Sequence, residues 1–72
     1  MIKTGSKIQL TILDRDRQTF FARAEVVSLS SNTIGIKYVS KVNIDSKTHK
    51  MRPEYKTETF HIAKIIKMRE LL

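Results

Sequence analysis

Between Lys37 and Lys56 the chain carries Lys37, Lys41, Lys47, Lys50, Arg52 and Lys56 against only Asp45 and Glu54. Six cations over two anions leave four excess positive charges there, more than half of the formal net charge of +7. His49 lies inside this stretch and Tyr55 near its end. Ammonium and guanidinium groups neutralise phosphates, and a phenol ring stacks on an unpaired base. The residue types therefore point to binding of a polyanion. The same pattern also suits a solvated hairpin whose lysines deter edge pairing.

Arg15, Arg17 and Arg23 form a second basic group, in which Asp14 and Asp16 offset the first two. Arg23 stands clear of that pairing, and strict alternation puts it on an outward face beside Phe21. An exposed Phe next to Arg suits base stacking, a protein interface, or burial under a loop. Lys64, Lys67 and Arg69 flank Ile65, Ile66 and Met68 near the C-terminus, which a helix would make a basic amphipathic stretch.

Catalysis finds little material. Asp45, Ser46 and His49 are close in sequence, but one turn does not orient a nucleophile, a base and its orienting group. His61 belongs to another element, cysteine is absent, and no spacing brings metal ligands together. The expectation is a protein that binds, with no enzyme activity, metal or cofactor.

The elements that position these groups read as strands. Nine Ile, four Val and seven Thr outnumber three Ala and five Leu, which favours β structure. Lys7 to Leu13 alternates, with Ile8, Leu10 and Ile12 on one face. Residues 14–18 make a polar hairpin loop. Thr19 to Leu29 is a longer strand with Phe20, Ala22, Ala24 and Val26 on one face and Phe21, Arg23, Glu25 and Val27 on the other. The adjacent apolar pair Val26-Val27 predicts a bend through a bulge. Ser30-Ser31-Asn32 is a turn, with Asn32 suited to positive φ. Ile34, Ile36, Tyr38, Val42 and Ile44 then mark one long strand or two with a break near Ser40, and Gly35 predicts a close backbone approach. On this alternation Lys37 and Lys41 share the solvent face. Residues 45–50 are a turn, and Met51 to Thr59 returns as a strand that Pro53 confines to an edge. A strand through Phe60 to Ile62, a tight turn at Ala63-Lys64 and a closing strand from Ile65 to Arg69 are preferred over a terminal helix.

Seventy-two residues make one domain near the lower limit for a self-sufficient core, and 40% apolar content is lean. Without disulfides, support from homo-oligomerisation is expected. No run is long enough to span a membrane, the first thirteen residues lack the apolar stretch of a secretory signal, and the cytoplasm is the expected compartment.

Five short strands in so few residues are expected to meander into a small all-β barrel over residues 1–72, since closure removes exposed edges. The order of strands and loops, ending in Thr59-Phe60-His61-Ile62-Ala63-Lys64-Ile65, resembles SH3-like and Sm-like barrels. Phe60-His61-Ile62-Ala63-Lys64-Ile65 looks like the aromatic-x-Leu-x-x-Ile segment that closes WYL-type domains. Ile36-Lys37-Tyr38 and Met51-Arg52-Pro53 sit where such domains carry an Ile-x-Tyr strand and an Arg before a Pro. The layout is also similar to that of the small Sm-like Rho-binding antiterminators. The resemblance covers roughly residues 34 to 69. It implies binding of RNA, single-stranded DNA or a regulatory protein.

The leading expectation is a nucleic-acid-binding module for single-stranded or structured RNA or DNA, since no recognition helix enters a major groove. Its expected contacts are Arg23, Lys37, Lys41, Lys47, Lys50, Arg52, Tyr55 and Lys56. The alternative is a protein-interaction module or inhibitor that docks a basic face on an acidic partner, using Phe21 or Leu71-Leu72. A homo-oligomeric ring built by edge-strand pairing would serve either partner.

Overall fold

The computed structural model describes residues 2–71, so Leu72 of the expected Leu71-Leu72 contact lies outside the described residues. The strands are β1 (Lys7–Asp14), β2 (Arg17–Leu29), β3 (Thr33–Ile44), β4 (Met51–His61) and β5 (Ile65–Glu70). They form one antiparallel sheet in the order β4-β3-β2-β1-β5. The meander from β1 to β4 follows from short polar turns, and β5 then crosses back to pair with β1. Among the described residues the C-terminal segment is extended except at Ile62–Lys64, a single 3-10 turn, and no terminal helix forms.

Closure is where the expected barrel fails. No ladder joins β4 to β5, so the sheet stays open with those two strands as its edges. It curls instead around a small core on one face. Ile8, Leu10 and Ile12 of β1, Ala24 and Val26 of β2, and Ile34 and Ile36 of β3 are all buried. Ile2, Phe21, Tyr38, Phe60 and Ile65 pack around them. Side chains do part of what hydrogen bonds would do in a closed barrel. Phe21 packs at a tilt on Tyr38, with ring centroids 4.6 Å apart, and on Phe60 at 5.8 Å, which draws the first half of β2 toward β3 and β4. A second tie comes from the backbone, where the Ile62 N–H donates to the Asn32 carbonyl at 2.8 Å.

Four register shifts shape the sheet. In β2, Val27 is an extra residue between the pairs Val26–Ile36 and Ser28–Gly35, the bend that the Val26-Val27 adjacency predicts. A Cβ on Gly35 would collide with the Ser28 hydroxyl there, so the close approach expected at this glycine is real. Ser40 is the extra residue in β3, between Val39–Tyr55 and Lys41–Glu54, and its hydroxyl donates to the Glu54 carbonyl at 3.1 Å. Another shift lies between β1 and β5 at Thr11 and Ile12.

The remaining shift overturns an expectation. Ile8 pairs with Ala24 but Leu10 with Phe21, so Ala22 and Arg23 both oppose Gln9. Residues before this bulge change faces relative to those after it. Phe21 therefore turns inward with Leu10, and Phe20 turns outward and is 61% exposed. The Ser40 bulge acts likewise. Lys37 stays on the outer face with Thr57, while Lys41 falls on the opposite face with Glu54, so the two lysines do not share a side.

Turns also depart in detail. Arg15-Asp16 alone closes the first hairpin, with Arg15 at φ 57°. Asn32 does not adopt positive φ. Its turn is held by Ser30, which bonds Thr33 through both backbone and hydroxyl. At the N-terminus Gly5, at φ 94°, lets the chain bond Val26 from the Gly5 N–H and the Ser6 carbonyl.

The far halves of β3 and β4 leave the curled body as a two-stranded arm. The molecule measures 45 × 29 × 18 Å, with a radius of gyration of 13.8 Å; a compact chain of this length would have about 11 Å. No residue from 39 to 57 is buried. Stability is accordingly concentrated in the body. Ile36→Ala is expected to cost about 2–5 kcal/mol in urea unfolding, a large share of a total on the order of 4–11 kcal/mol. Ile44→Ala, in the arm of dilute protein, should change it by about 0.5 kcal/mol or less.

Candidate nucleic-acid interface

Cross-strand partners share a face, so the registers assign every strand residue to the core side or the outer side. On the outer side stand Lys7, Gln9 and Thr11 of β1, which alternate with the buried Ile8, Leu10 and Ile12. Glu25 pairs with Lys7 and Lys37 with Glu25. Phe20 pairs with Thr11, and so does Lys67 from the other side, while Arg69 pairs with Gln9. Tyr55 joins through its pairing with Val39. The outer face thus carries Lys7, Lys37, Lys67 and Arg69, with Glu25 as its acid.

The core side is evenly balanced. Beyond the buried cluster it bears Lys41, Arg52 and Lys56, but also Glu54, Glu58 and Glu70. Lys56 pairs with Glu58 at 3.2 Å. The net charge of the sheet is therefore segregated by side, and the outer side holds most of its unopposed cations. Glu25 receives a hydrogen bond from Lys7, which together with that charge lowers its pKa below the usual carboxylate value. The acid is neutralised where it stands.

The outer face is not flat. β2 and β3 are paired only from Ala24–Tyr38 to Leu29–Ile34. Ahead of Ala24 the first half of β2 follows β1, while beyond Tyr38 the second half of β3 follows β4 into the arm. The strands diverge and leave an open groove of about 650 Å³. Phe20, Phe21, Ala22 and Arg23 line one wall, and Lys37, Val39 and Tyr55 the other. Tyr38 and Phe21 meet at its base. The Lys37 ammonium lies 4.8 Å above the Tyr55 ring, a cation–π contact that fixes both groups at the rim. On the far side of Phe20 is a shallower depression of about 290 Å³, lined by Gln9, Thr11, Lys67 and Arg69. Phe20 is the ridge between the two.

Of the contacts expected from sequence, the structure brings Arg23, Lys37 and Tyr55 together at the groove. Lys41, Arg52 and Lys56 lie on the other side of the arm, and Lys47 and Lys50 in or beside its tip turn. At that tip Asp45 is engaged by the turn: it accepts the Lys47 N–H at 2.8 Å and faces Arg52 at 3.9 Å. His49 occupies positive φ there, and His61 caps the 3-10 turn, its Nδ1 accepting the Ala63 N–H at 3.1 Å. Sequence reasoning missed Phe20, Lys7, Lys67 and Arg69. Lys67 and Arg69 were visible as a basic pair, but their place beside Phe20 depends on the β1–β5 pairing.

Behind the groove, Tyr38 donates to Glu58 at 2.8 Å. Burial pushes the Tyr38 hydroxyl up to about 12, and the Glu58 carboxylate adds to the shift. Glu58 is lowered, first by the Tyr38 hydrogen bond and then by Lys56. This bond fixes the inner ring of the groove base.

No family model, curated protein or solved structure matches the chain. Among the described residues no helix is long and apolar enough to cross a membrane.

The Tyr38–Glu58 bond has a pH signature of definite sign. A raised Tyr38 pKa contributes stability that is present below about pH 10 and lost as the pH climbs toward about 12. The lowered Glu58 pKa contributes stability present above the ordinary glutamate value and lost as the pH falls through the folded value. Tyr38→Phe should raise the Glu58 midpoint in a carboxyl NMR titration. It should also flatten the alkaline decline of stability relative to wild type. Unchanged curves would show that the bond does not form.

Proposed function

We propose that this chain is a non-enzymatic module that binds single-stranded nucleic acid across the outer face of its sheet. The observation that carries the proposal is the alternation of rings and cations across that face: Tyr55 with Lys37, the groove with Arg23, Phe20, then Lys67 and Arg69. Unpaired bases stack on exposed aromatic rings without regard to sequence, and the flanking cations neutralise the backbone phosphates. A paired duplex hides the faces of its bases inside the stack, so exposed rings favour single strands. The face offers no projecting helix for a major groove.

The fold is read here as an opened relative of SH3-like and Sm-like barrels. The five-stranded meander supports this, with its last strand returning to the first after a short 3-10 turn. A cytoplasmic, regulatory role follows by analogy with the families of that type. An acidic protein partner is the competing occupant of the same cations. It has no comparable use for two exposed rings placed among them, so nucleic acid is the stronger reading.

Fluorescence anisotropy with labelled single-stranded RNA, single-stranded DNA and duplex DNA tests the proposal. About five phosphate contacts to a single strand predict an affinity loss on the order of a hundredfold between about 50 and 200 mM salt. Phe20→Ala and Tyr55→Ala should each weaken binding by about 1–3 kcal/mol. Lys41→Ala and Lys56→Ala, on the opposite side, should stay within about twofold of wild type. Absence of binding at the lower salt refutes the proposal and directs the search to an acidic protein.

A further inference from the structure

The arm of β3 and β4 continues the outer face beyond Tyr55, where the nucleic-acid reading places no further contact. Three consecutive apolar cross-strand pairs run along it: Val39–Tyr55, Val42–Pro53 and Ile44–Met51. Ile44 is 68% exposed and Met51 69%, and Val39, Val42 and Tyr55 are exposed as well. Scattered apolar residues on a surface need no explanation, but a contiguous patch of this kind marks an interaction site. Beyond Val39–Tyr55 the charged residues of the arm, Lys41, Arg52 and Glu54, have the opposite register and project from the other side, while Lys37 stands at the inner end of the strip over Tyr55. Six adjacent strand positions thus form an uncharged strip on a chain of net charge +7.

Three features identify the occupant. A strip without charge matches another apolar strip better than it matches phosphate or carboxylate. A two-stranded ribbon with no buried residue is marginal in water and gains stability from a second layer. Sheet extension is meanwhile blunted at the strand margins: Pro53 interrupts β4, the Ser40 bulge and Lys41 guard the unpaired margin of β3, and Lys67 and Arg69 sit on β5. What remains open is packing of face on face. The strip is also self-complementary: with two arms antiparallel, the Ile44–Met51 pair of one lies over the Val39–Tyr55 pair of the other.

We propose that a second copy of this chain packs on the arm, strip against strip, in a two-fold dimer. The contact is smaller than the roughly 20–30 residues a side of a standard interface, so the dimer is weak and concentration-dependent. Because each copy is strongly positive, repulsion opposes the contact and salt strengthens it. Nucleic-acid binding has the reverse salt dependence, so salt tells the two proposals apart although both use Tyr55. Val39 and Tyr55 also line the groove, and a packed arm therefore covers one groove wall.

Sedimentation equilibrium without any oligonucleotide tests this, from about 10 to 1,000 µM protein at about 50 and 500 mM salt. The weight-average mass should rise from 8.4 kDa toward twice that value, and further at the higher salt. Ile44→Asp and Met51→Asp, at exposed positions, should hold it at the monomer value while circular dichroism stays unchanged. In wild-type NMR spectra, concentration-dependent shifts should fall on residues 39–55 and spare the buried cluster. A mass of 8.4 kDa under all conditions overturns the dimer. So does association that salt dissolves, or that both Asp variants retain.

Discussion

The arrangement of this molecule turns on one extra residue in β2. Opposite Gln9 the strand spends two residues, Ala22 and Arg23, where its partner spends one. Without that bulge Phe21 would face solvent and Phe20 would face the core. With it, Phe21 enters the core side and packs at a tilt on Tyr38 and Phe60, which brings the curled sheet together where no ladder closes it. Phe20 is put outside in the same step, between two depressions. The bulge also lies just ahead of Ala24, where β2 and β3 begin to pair. One local irregularity thus sets the core aromatic cluster, the groove and the ridge beside it.

Charge follows from the same alternation. Strand residues opposite the buried cluster are free to be polar, and the charged ones on the outer side are mostly cationic, whereas the core-side margins mix both signs. The positive field of the sheet is concentrated where the exposed rings are. Lys7 cancels Glu25 there, and Lys37 is held over Tyr55. Ring and cation are placed by strand register, which is rigid on the scale of a hydrogen-bonded ladder, and no mobile loop is needed to assemble the face.

Much of this was legible in the sequence. Alternation of Ile8, Leu10 and Ile12 identified the first strand and its buried face, because each strand residue reverses side. Val26-Val27 and Ser40 signalled irregularities, since a strand broken in its alternation must shift register. Pro53 located an edge. What was not legible is where alternation restarts after a bulge that has no compositional mark. Ala22-Arg23 looks like ordinary strand, yet it inverts the roles of Phe20 and Phe21. Density of lysines likewise drew attention to residues 37–56, but charge density along a chain does not tell which side of a ribbon each group occupies. The opposed placement of Lys37 and Lys41 comes from Ser40, and that of Lys67 beside Phe20 from pairing between the two ends of the chain. Long-range pairing also decided closure: the strand count was right for a barrel, and the ladder from β4 to β5 is missing.

The central claim is that single-stranded nucleic acid lies across the outer face, with bases on Phe20 and Tyr55. The most direct measurement is photocrosslinking of a halogenated-uridine oligonucleotide, with the adducts located by mass spectrometry of proteolytic fragments. Adducts at Phe20 and Tyr55, competed away by unlabelled single strand, are the result this account predicts. Adducts confined to the arm tip around His49, or to the core-side margin around Lys56, would contradict it.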